Sequence, residues 1–336
     1  MTKMAFFELE GWEKSILKKY FSNHKLLFFN EALEEKHLLQ IKEIEILGIF
    51  IYSKITKDIL AKLPKLRMIA TFSTGFDHID IKECKKRKIV VCNVPTYGSH
   101  TVAEHTIALM LALAKKIIPS IDRTRAGNFS LDGLRTFDIV GKTLGLIGFG
   151  KIGSHVAKVA KALGMNVIVY DPYVDENLID LLDCKKVSLD YLLKHSDIIS
   201  LHTPLTQQTH HIINKQTLEK MKTGAILINT ARGGLVDSKA LLDAILSKKI
   251  AGVGLDVLEE ENAIREEKEL LKADYAKKHD LHTVVITHML REHQNVIITP
   301  HNAFNSKEAL ERIVQTSAEN IQSFLEGNPK NLVTNI

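Results

Sequence analysis

Short apolar runs alternate with polar segments of helical period along most of the chain. The segments Ile55–Leu63 and Ile79–Lys86 show helical spacing between such runs. The runs of strand type in the first hundred residues are Leu26–Phe29, Ile46–Tyr52, Met68–Phe72 and Ile89–Cys92. Strands that alternate with helices predict a parallel sheet covered by helices on both faces.

The same alternation restarts at Thr143 and continues almost to the end of the chain. Six more runs follow, namely Leu144–Ile147, Val167–Tyr170, Ile198–Leu201, Ala225–Ile228, Ala251–Leu255 and Val296–Ile298. Helical segments begin between them at Lys151, Leu189, Lys215 and Ser238. Six strands separated by helices predict a complete doubly wound nucleotide-binding unit.

Two further helices bear on the domain organisation. One runs from Thr101 to about Ile118 and is apolar on most of its circumference; the other, from Lys307 to about Leu325, has no strand after it. We interpret the second as a return to the first domain. The predicted fold is therefore α/β with two doubly wound parallel-sheet domains (Rossmann/flavodoxin-like). Residues 1–99 plus 301–336 form a substrate domain, and an NAD-binding domain, 100–300, is inserted in it. The charged stretch Ala263–Lys278 receives no role.

The segment Gly148-Phe-Gly-Lys-Ile-Gly153 has the context of a dinucleotide-binding loop, since it follows a strand and opens a helix. Gly148 permits the tight turn, Gly150 lets a pyrophosphate approach the backbone, and Gly153 allows close packing of helix and strand. Asp171 ends the next strand, where it would bind the adenosine ribose and repel a 2′-phosphate. The pattern predicts NAD as the cofactor.

Composition narrows the class of protein. The 336 residues, 45% hydrophobic and 25% charged, are typical of a cytoplasmic globular protein without a signal peptide or membrane span. The net charge of +5 is spread along the chain, which argues against nucleic acid as a partner. Cys84, Cys92 and Cys184 lack metal-ligand spacing, so reduced thiols and no metal site are predicted.

Three residues in loops beyond strand ends suggest the chemistry. Arg232, Glu261 and His301 each follow an apolar run, and open parallel sheets place their ligand crevice at such positions. A guanidinium fork binds a carboxylate, and a histidine held by a carboxylate exchanges a proton. This is the equipment needed to reduce a 2-keto acid or to oxidise a 2-hydroxy acid.

The motifs resemble those of the D-2-hydroxyacid dehydrogenase family over nearly the whole chain. Besides the three residues above, the matching segments are Ser73–Asp80, Asn93–His105 and His202–Thr209. Within the family, the Val-Pro-Thr-Tyr97 context and the form His301-Asn-Ala-Phe304 look most like the D-lactate dehydrogenases.

The resemblance implies a role for each matching residue. Arg232 would bind the substrate carboxylate and polarise the keto oxygen, His301 would exchange the proton, and Glu261 would hold His301 in its charged form. Glu259 and Glu260 are neighbouring alternatives to Glu261. Thr74, Gly75 and Tyr97 would also contact the substrate. Implied cofactor contacts are Gly148, Gly150, Lys151, Ile152, Gly153, Asp171, Thr203, Pro204, Thr209, Thr230, Ala231, Arg232 and Asp256.

The sequence leaves several functions open. A hydroxypyruvate or glyoxylate reductase, or a short phosphoglycerate dehydrogenase, would use the same fold and the same three residues. An NAD-sensing binding module that resembles the corepressors of this family is an alternative of another class. The expected partners are a small 2-keto or 2-hydroxy acid and a second copy of the chain, joined as a homodimer through the helix that begins near Thr101.

Overall fold

The structure, a computed structural model, describes residues 1–259 and 281–333 and divides into two compact units. One unit comprises Met1–Gly98 and Asn305–Ile336, and the other comprises Ser99–Phe304. The second unit is therefore inserted in the first. His301, which the sequence analysis places at the start of the returning segment, belongs to the inserted unit.

The first unit contains a five-stranded parallel sheet. Its strands are β1 Lys3–Phe6, β2 Lys25–Phe28, β3 Ile46–Ile49, β4 Met68–Thr71 and β5 Val90–Cys92, in the order β2-β1-β3-β4-β5. Its helices are α1 Gly11–Tyr20, α2 Leu38–Ile41, α3 Lys57–Ala61 and α4 Ile81–Lys86, with the returning helix Lys307–Leu325. This strand order is that of flavodoxin-like folds, so the predicted α/β class is confirmed.

Two local features of this unit differ from the sequence prediction. The strand β1 was not predicted, because Lys3–Phe6 has only three apolar residues, yet all three are buried and the strand lies between β2 and β3. The predicted helix Ile55–Leu63 is shorter, since Ile55 forms a β-bridge with Ile79. The helix begins only at Lys57, where the Thr56 hydroxyl accepts a hydrogen bond from the Ile59 amide.

The inserted unit contains a seven-stranded parallel sheet. Its strands are β6 Thr143–Ile147, β7 Asn166–Tyr170, β8 Lys185–Lys186, β9 Ile198–Leu201, β10 Ala225–Asn229, β11 Ile250–Leu255 and β12 Val296–Ile298. Its described helices are α5 Ser99–Ala114, α6 Ile117–Arg125, α7 Lys151–Ala162, α8 Glu176–Leu181, α9 Leu189–His195, α10 Lys215–Lys220, α11 Ser238–Leu246 and α12 Leu281–Glu292. The returning helix Lys307–Leu325 is α13.

The strand order β12-β11-β10-β9-β6-β7-β8 is that of a dinucleotide-binding sheet with one extra strand at the β12 edge. The order reverses between β6 and β9. Strand β8, which the sequence analysis missed, contains only two exposed lysines. The core is built from strand residues that are buried on both faces, and α7 adds Val156, Ala157 and Ala160 to it.

The predicted helix from Thr101 to Ile118 is two helices. Helix α5 ends at Ala114, and Lys116 adopts a left-handed conformation with φ 48° before α6 begins. Most of the apolar face of α5 packs within its own unit, against α7 and strands β10 and β11. Its apolar circumference therefore reflects burial inside the inserted unit.

The three cysteines are free thiols, as predicted. Burial raises the pKa of Cys84 to about 11 and that of Cys92 to about 12. Burial likewise raises the pKa of Cys184 to about 11. All three remain protonated near neutral pH, which makes them poor nucleophiles and poor metal ligands.

Candidate active site

The predicted site residues of the inserted unit follow the carboxyl ends of its strands. Gly148 follows β6, Asp171 follows β7, Arg232 follows β10 and His301 follows β12. Because all these strands are parallel, the four residues lie at one edge of the sheet. In open α/β sheets this edge holds the ligand, next to the point where the strand order reverses.

The glycine loop fits a dinucleotide in its detailed geometry. A Cβ on Gly148, which has φ 95°, would lie 2.6 Å from the carbonyl carbon of His202, so only glycine allows β6 and β9 to approach so closely. A Cβ on Gly153 would lie 2.4 Å from the Gly148 oxygen. Gly150 is exposed at the start of α7 and has no atom within 4 Å of its Cβ position. This open space at a helix N-terminus suits a pyrophosphate.

The carboxylate of Asp171 is oriented by two backbone amides. The amide of Phe149 donates to one carboxylate oxygen and the amide of Tyr173 to the other, both at 2.8 Å. The first bond joins Asp171 directly to the glycine loop. The carboxylate that would bind a ribose is thus held next to the loop that would hold the pyrophosphate.

Next to the glycine loop lies His202, a residue to which the sequence analysis gave no separate role. Its Nε2 lies 2.9 Å from the Ser200 hydroxyl, and desolvation lowers the pKa of His202 to about 3. The ring is therefore neutral at physiological pH, and it adds no charge beside the loop. In the sequence, only the histidine of the pattern Leu-His-Thr-Pro could have indicated that this residue lies beside the glycine loop.

The turn that bears Arg232 is shaped by Asn229 at the end of β10. The Asn229 side chain accepts from the Ala231 amide at 3.0 Å and donates to the Arg232 carbonyl at 2.8 Å. The guanidinium of Arg232 is half-buried and donates to the Ala231 carbonyl at 2.7 Å. Asn229 was missed as a positioning residue, because its role depends on a turn geometry that the sequence does not show.

His301 lies in a left-handed conformation, with φ 52°. Such a backbone costs a non-glycine residue about 1 kcal/mol. The strain is offset by hydrogen bonds from the His301 amide to the carbonyls of Asp256 and Thr299, at 3.0 and 2.9 Å. The imidazole of His301 lies near the ring of Phe304, with the ring centroids 6.1 Å apart.

The side chain of Asp256 holds the His301 loop through several hydrogen bonds. It is 1% exposed, and its carboxylate accepts from the Thr299 hydroxyl at 2.5 Å and from the amides of Asn302 and Ala303 at 2.7 and 2.9 Å. His105 adds a contact, with Nε2 3.5 Å from an Asp256 oxygen. The predicted role of Asp256 was to face the cofactor. In the structure its oxygens bind the chain's own His301 loop.

Substitution Asp256→Asn should destabilise the protein and disturb His301. The new amide group would face two backbone N–H donors with only one acceptor oxygen, which costs about 1–3 kcal/mol in the free energy of unfolding. Urea denaturation would measure this loss. The control is Asp243→Asn at an exposed position of α11, where stability should stay unchanged. Equal stability of the two variants would contradict a clamping role.

The other predicted cofactor-binding residues of the inserted unit differ in their exposure. Thr203, Thr209 and Ala231 are half-exposed, Pro204 and Lys151 are exposed, and Ile152 packs partly against the core. The Thr209 hydroxyl donates to the Pro204 carbonyl at 2.6 Å. The Thr230 hydroxyl is buried and lies 2.9 Å from that of Thr106, so it is paired within the inserted unit.

Glu261, the predicted partner of His301, lies outside the described residues, as does Glu260. The alternative carboxylate, Glu259, is described and already has partners. One of its oxygens lies 2.6 Å from His211 Nε2, and the other accepts from the Ser238 amide at 2.9 Å. These contacts make Glu259 a poor candidate for the partner of His301.

The predicted substrate contacts of the first unit lie beyond the carboxyl ends of β4 and β5. The Thr74 hydroxyl donates to the Val94 carbonyl at 2.7 Å, and the Ser73 hydroxyl donates to the Gly75 carbonyl at 2.6 Å. The Tyr97 carbonyl accepts from Arg312 at 2.6 Å. These bonds hold the backbone of both loops in place.

A search for membrane spans identifies no helix of sufficient length and apolarity in the described ranges 1–259 and 281–333.

Comparisons with known proteins agree with the geometry. The description "D-isomer specific 2-hydroxyacid dehydrogenase, NAD binding domain" belongs to the family model that matches residues 107–303. The chain is 35% identical to a D-lactate dehydrogenase of Escherichia coli, with 98% of this chain and 100% of the relative covered. It is 38% identical to a hydroxypyruvate reductase of Thermotoga maritima, with 90% and 92% covered.

A solved structure extends the likeness to the whole fold. The crystal structure of a D-lactate dehydrogenase from Aquifex aeolicus, complexed with NAD and lactic acid, superposes with a TM-score of 0.89. The two sequences are 36% identical, and 99% of each chain is covered. With the glycine loop, these matches show that the chain belongs to the NAD-dependent D-isomer specific 2-hydroxyacid dehydrogenase family.

Proposed function

We propose that this enzyme interconverts D-lactate and pyruvate, with Arg232 and His301 as its principal catalytic residues. The observation that carries the proposal is the placement of Arg232 after β10 and His301 after β12, at the same sheet edge as the glycine loop. A cationic fork and a proton donor are thereby available to one small keto acid. The similarity to D-lactate dehydrogenases favours pyruvate.

In this proposal each predicted catalytic or substrate-binding residue has a defined task. Arg232 binds the keto acid's carboxylate and stabilises the charge that develops on the keto oxygen. His301 donates a proton to that oxygen as the alcohol forms and takes it back in oxidation. Glu261 orients the charged imidazole, while Thr74, Gly75 and Tyr97 contact the substrate. When bound, NADH would supply hydride to the keto carbon in reduction, and NAD would accept hydride from the carbinol carbon in oxidation.

The substrate is tested by a panel of keto acids with NADH. Pyruvate is expected to give kcat/KM at least about tenfold above glyoxylate and hydroxypyruvate, a difference of about 1.4 kcal/mol in transition-state binding. Chiral analysis of the product should find D-lactate. A preference for hydroxypyruvate or glyoxylate would instead support the reductases, to one of which the chain is 38% identical.

The same panel tests the NAD-sensing binding module. Such a protein would bind NADH, as fluorescence titration would show, but would turn over no keto acid at a significant rate. The similarity to a D-lactate dehydrogenase and to a hydroxypyruvate reductase favours an enzyme. Negligible turnover with every acid, together with tight NADH binding, would support the module.

Cofactor choice is proposed to depend on Asp171. Substitution Asp171→Asn is expected to reduce the preference for NAD over NADP by about 10- to 100-fold, because it removes charge-assisted bonds to the ribose and repulsion of a 2′-phosphate. The measurement is kcat/KM for both cofactors. Asp183→Asn, at an exposed carboxylate of the same unit, is the control. An unchanged ratio in Asp171→Asn would remove this role.

We also propose that the enzyme is a homodimer. The proposed dimer surface lies next to helix α5, whereas the sequence predicted α5 itself. Helix α5 is largely covered within its own unit, whereas the neighbouring segment exposes large apolar side chains. These are Ile117, Ile118, Ile121, Phe129 and Leu131, each at least 41% exposed. A second copy would cover this surface. Sedimentation should show a dimer, and Ile121→Lys combined with Leu131→Lys should give a monomer; a wild-type monomer would refute the proposal.

A further inference from the structure

Three potential metal ligands converge near the turn that follows Arg232. The ligand atoms of His210, His211 and Glu259 all lie within 4.8 Å of one another. In the described ranges, 1–259 and 281–333, this is the one group of three such side chains with that spacing. We propose that it is a binding site for a divalent first-row transition ion such as Zn²⁺.

The backbone holds these side chains in place. His211 has a left-handed φ of 49°, and its amide donates to the Gly234 carbonyl at 2.9 Å. The Ser238 amide donates to one oxygen of Glu259 at 2.9 Å, which leaves the other oxygen directed at His211. Such outer hydrogen bonds orient ligands in metal sites. The backbone thus brings the three side chains together.

The spacing of the ligand atoms suits an ion after small rotations. Ligands about 2.1 Å from a tetrahedral ion lie about 3.4 Å apart. The present separation of 2.6 Å between His211 Nε2 and Glu259 Oε1 must widen, and all ligand atoms already lie within 4.8 Å of one another. These side chains can rotate, since His210 is exposed and His211 is 33% exposed. Two imidazoles and one carboxylate leave a coordination position for water.

The chemistry of the ligands selects the kind of ion. Imidazole nitrogens prefer Zn²⁺ and its neighbours in the first transition row, whereas Ca²⁺ and Mg²⁺ prefer oxygen ligands. One carboxylate with two imidazoles therefore predicts Zn²⁺ binding and poor Ca²⁺ binding. None of Arg232, His301 or Asp171 belongs to the cluster.

A bound ion would join two loops beside the proposed substrate site. His210 and His211 belong to the loop after β9, and Glu259 to the loop after β11. The backbone at Leu258 lies against Gly233, where a Cβ would come within 2.1 Å of it. Cross-linking these loops stabilises the folded inserted unit, because the ion binds the native arrangement.

The test is Zn²⁺ binding by isothermal titration, with thermal unfolding measured in parallel. The wild type should bind one tightly held Zn²⁺ per chain at this site, and its unfolding midpoint should rise with Zn²⁺ but not with Ca²⁺. His210→Asn changes an exposed side chain and should fold normally. It should weaken this binding event by at least about tenfold, as should Glu259→Gln.

Two further variants separate this site from other histidines. His195→Asn removes an exposed histidine of the same unit outside the cluster, and His301→Asn removes the proposed proton donor. Both should keep wild-type Zn²⁺ affinity. Wild-type affinity in His210→Asn, loss of binding in His301→Asn, or no tight Zn²⁺ binding by the wild type would each overturn the proposal.

Discussion

Substitution His301→Asn is expected to lower kcat for keto-acid reduction about 1,000-fold, within the range for loss of a general acid. Asparagine suits this position, because it tolerates the left-handed backbone that His301 adopts better than most residues do. Its amide cannot supply a proton to the developing alkoxide. The loss of rate should therefore be in the chemical step, and the affinity for NADH should stay unchanged in a fluorescence titration.

The pH dependence distinguishes proton transfer from a structural defect. In the wild type, reduction takes up a proton and should slow as pH rises, whereas oxidation releases a proton and should slow as pH falls. The His301→Asn profiles should lose both limbs. His195→Asn, with a histidine removed from an exposed helix end, should retain wild-type rates and profiles. A loss of less than tenfold in His301→Asn would assign the proton to another group.

Substitution Arg232→Gln is expected to lower kcat/KM for the keto acid about 100- to 1,000-fold, as removal of a single donor at a developing oxyanion does. Arg232→Lys keeps the charge but loses the planar fork that binds a carboxylate through two parallel bonds. It should therefore recover only part of the loss. Steady-state kinetics with pyruvate and NADH would measure both variants.

The partition between kcat and KM shows how Arg232 acts. Loss of carboxylate binding alone would raise KM and leave kcat unchanged, whereas loss of charge stabilisation at the keto oxygen would lower kcat. We expect both changes in Arg232→Gln. The control is Arg291→Lys, at an exposed position of α12, where kinetics should not change. Wild-type kinetics in Arg232→Gln would exclude this residue from the substrate site.

The expectations for His301 depend on the loop that Asp256 holds. Asp256 binds the loop of His301 through one hydroxyl and two amides, and His105 from α5 lies beside it. We expect the Asp256 carboxylate to affect the reaction by holding the geometry of the His301 loop. Asp256 was predicted to contact the cofactor because the motif shows its position in the chain, whereas the direction of its side chain depends on the fold.

Periodicity alone predicted much of the fold, because strands buried on both faces appear as continuous apolar runs. Val167–Tyr170 is an apolar run and lies within β7, whereas β8 contains only Lys185–Lys186 and gave no signal. Short strands at sheet edges, and helix breaks at a left-handed residue such as Lys116 between α5 and α6, have no apolar run to mark them.

The glycine spacing from Gly148 to Gly153, Asp171 and the strand-end positions of Arg232 and His301 could be read directly from the sequence. They could be read because a βαβ unit places cofactor-binding residues at fixed offsets along the chain. Only the tertiary structure showed that Asp256 clamps the His301 loop, that Thr230 turns its hydroxyl inward, and that Glu259 meets His210 and His211. These contacts join residues far apart in the chain, and their geometry depends on how the strand-end loops pack against one another, which no local pattern encodes.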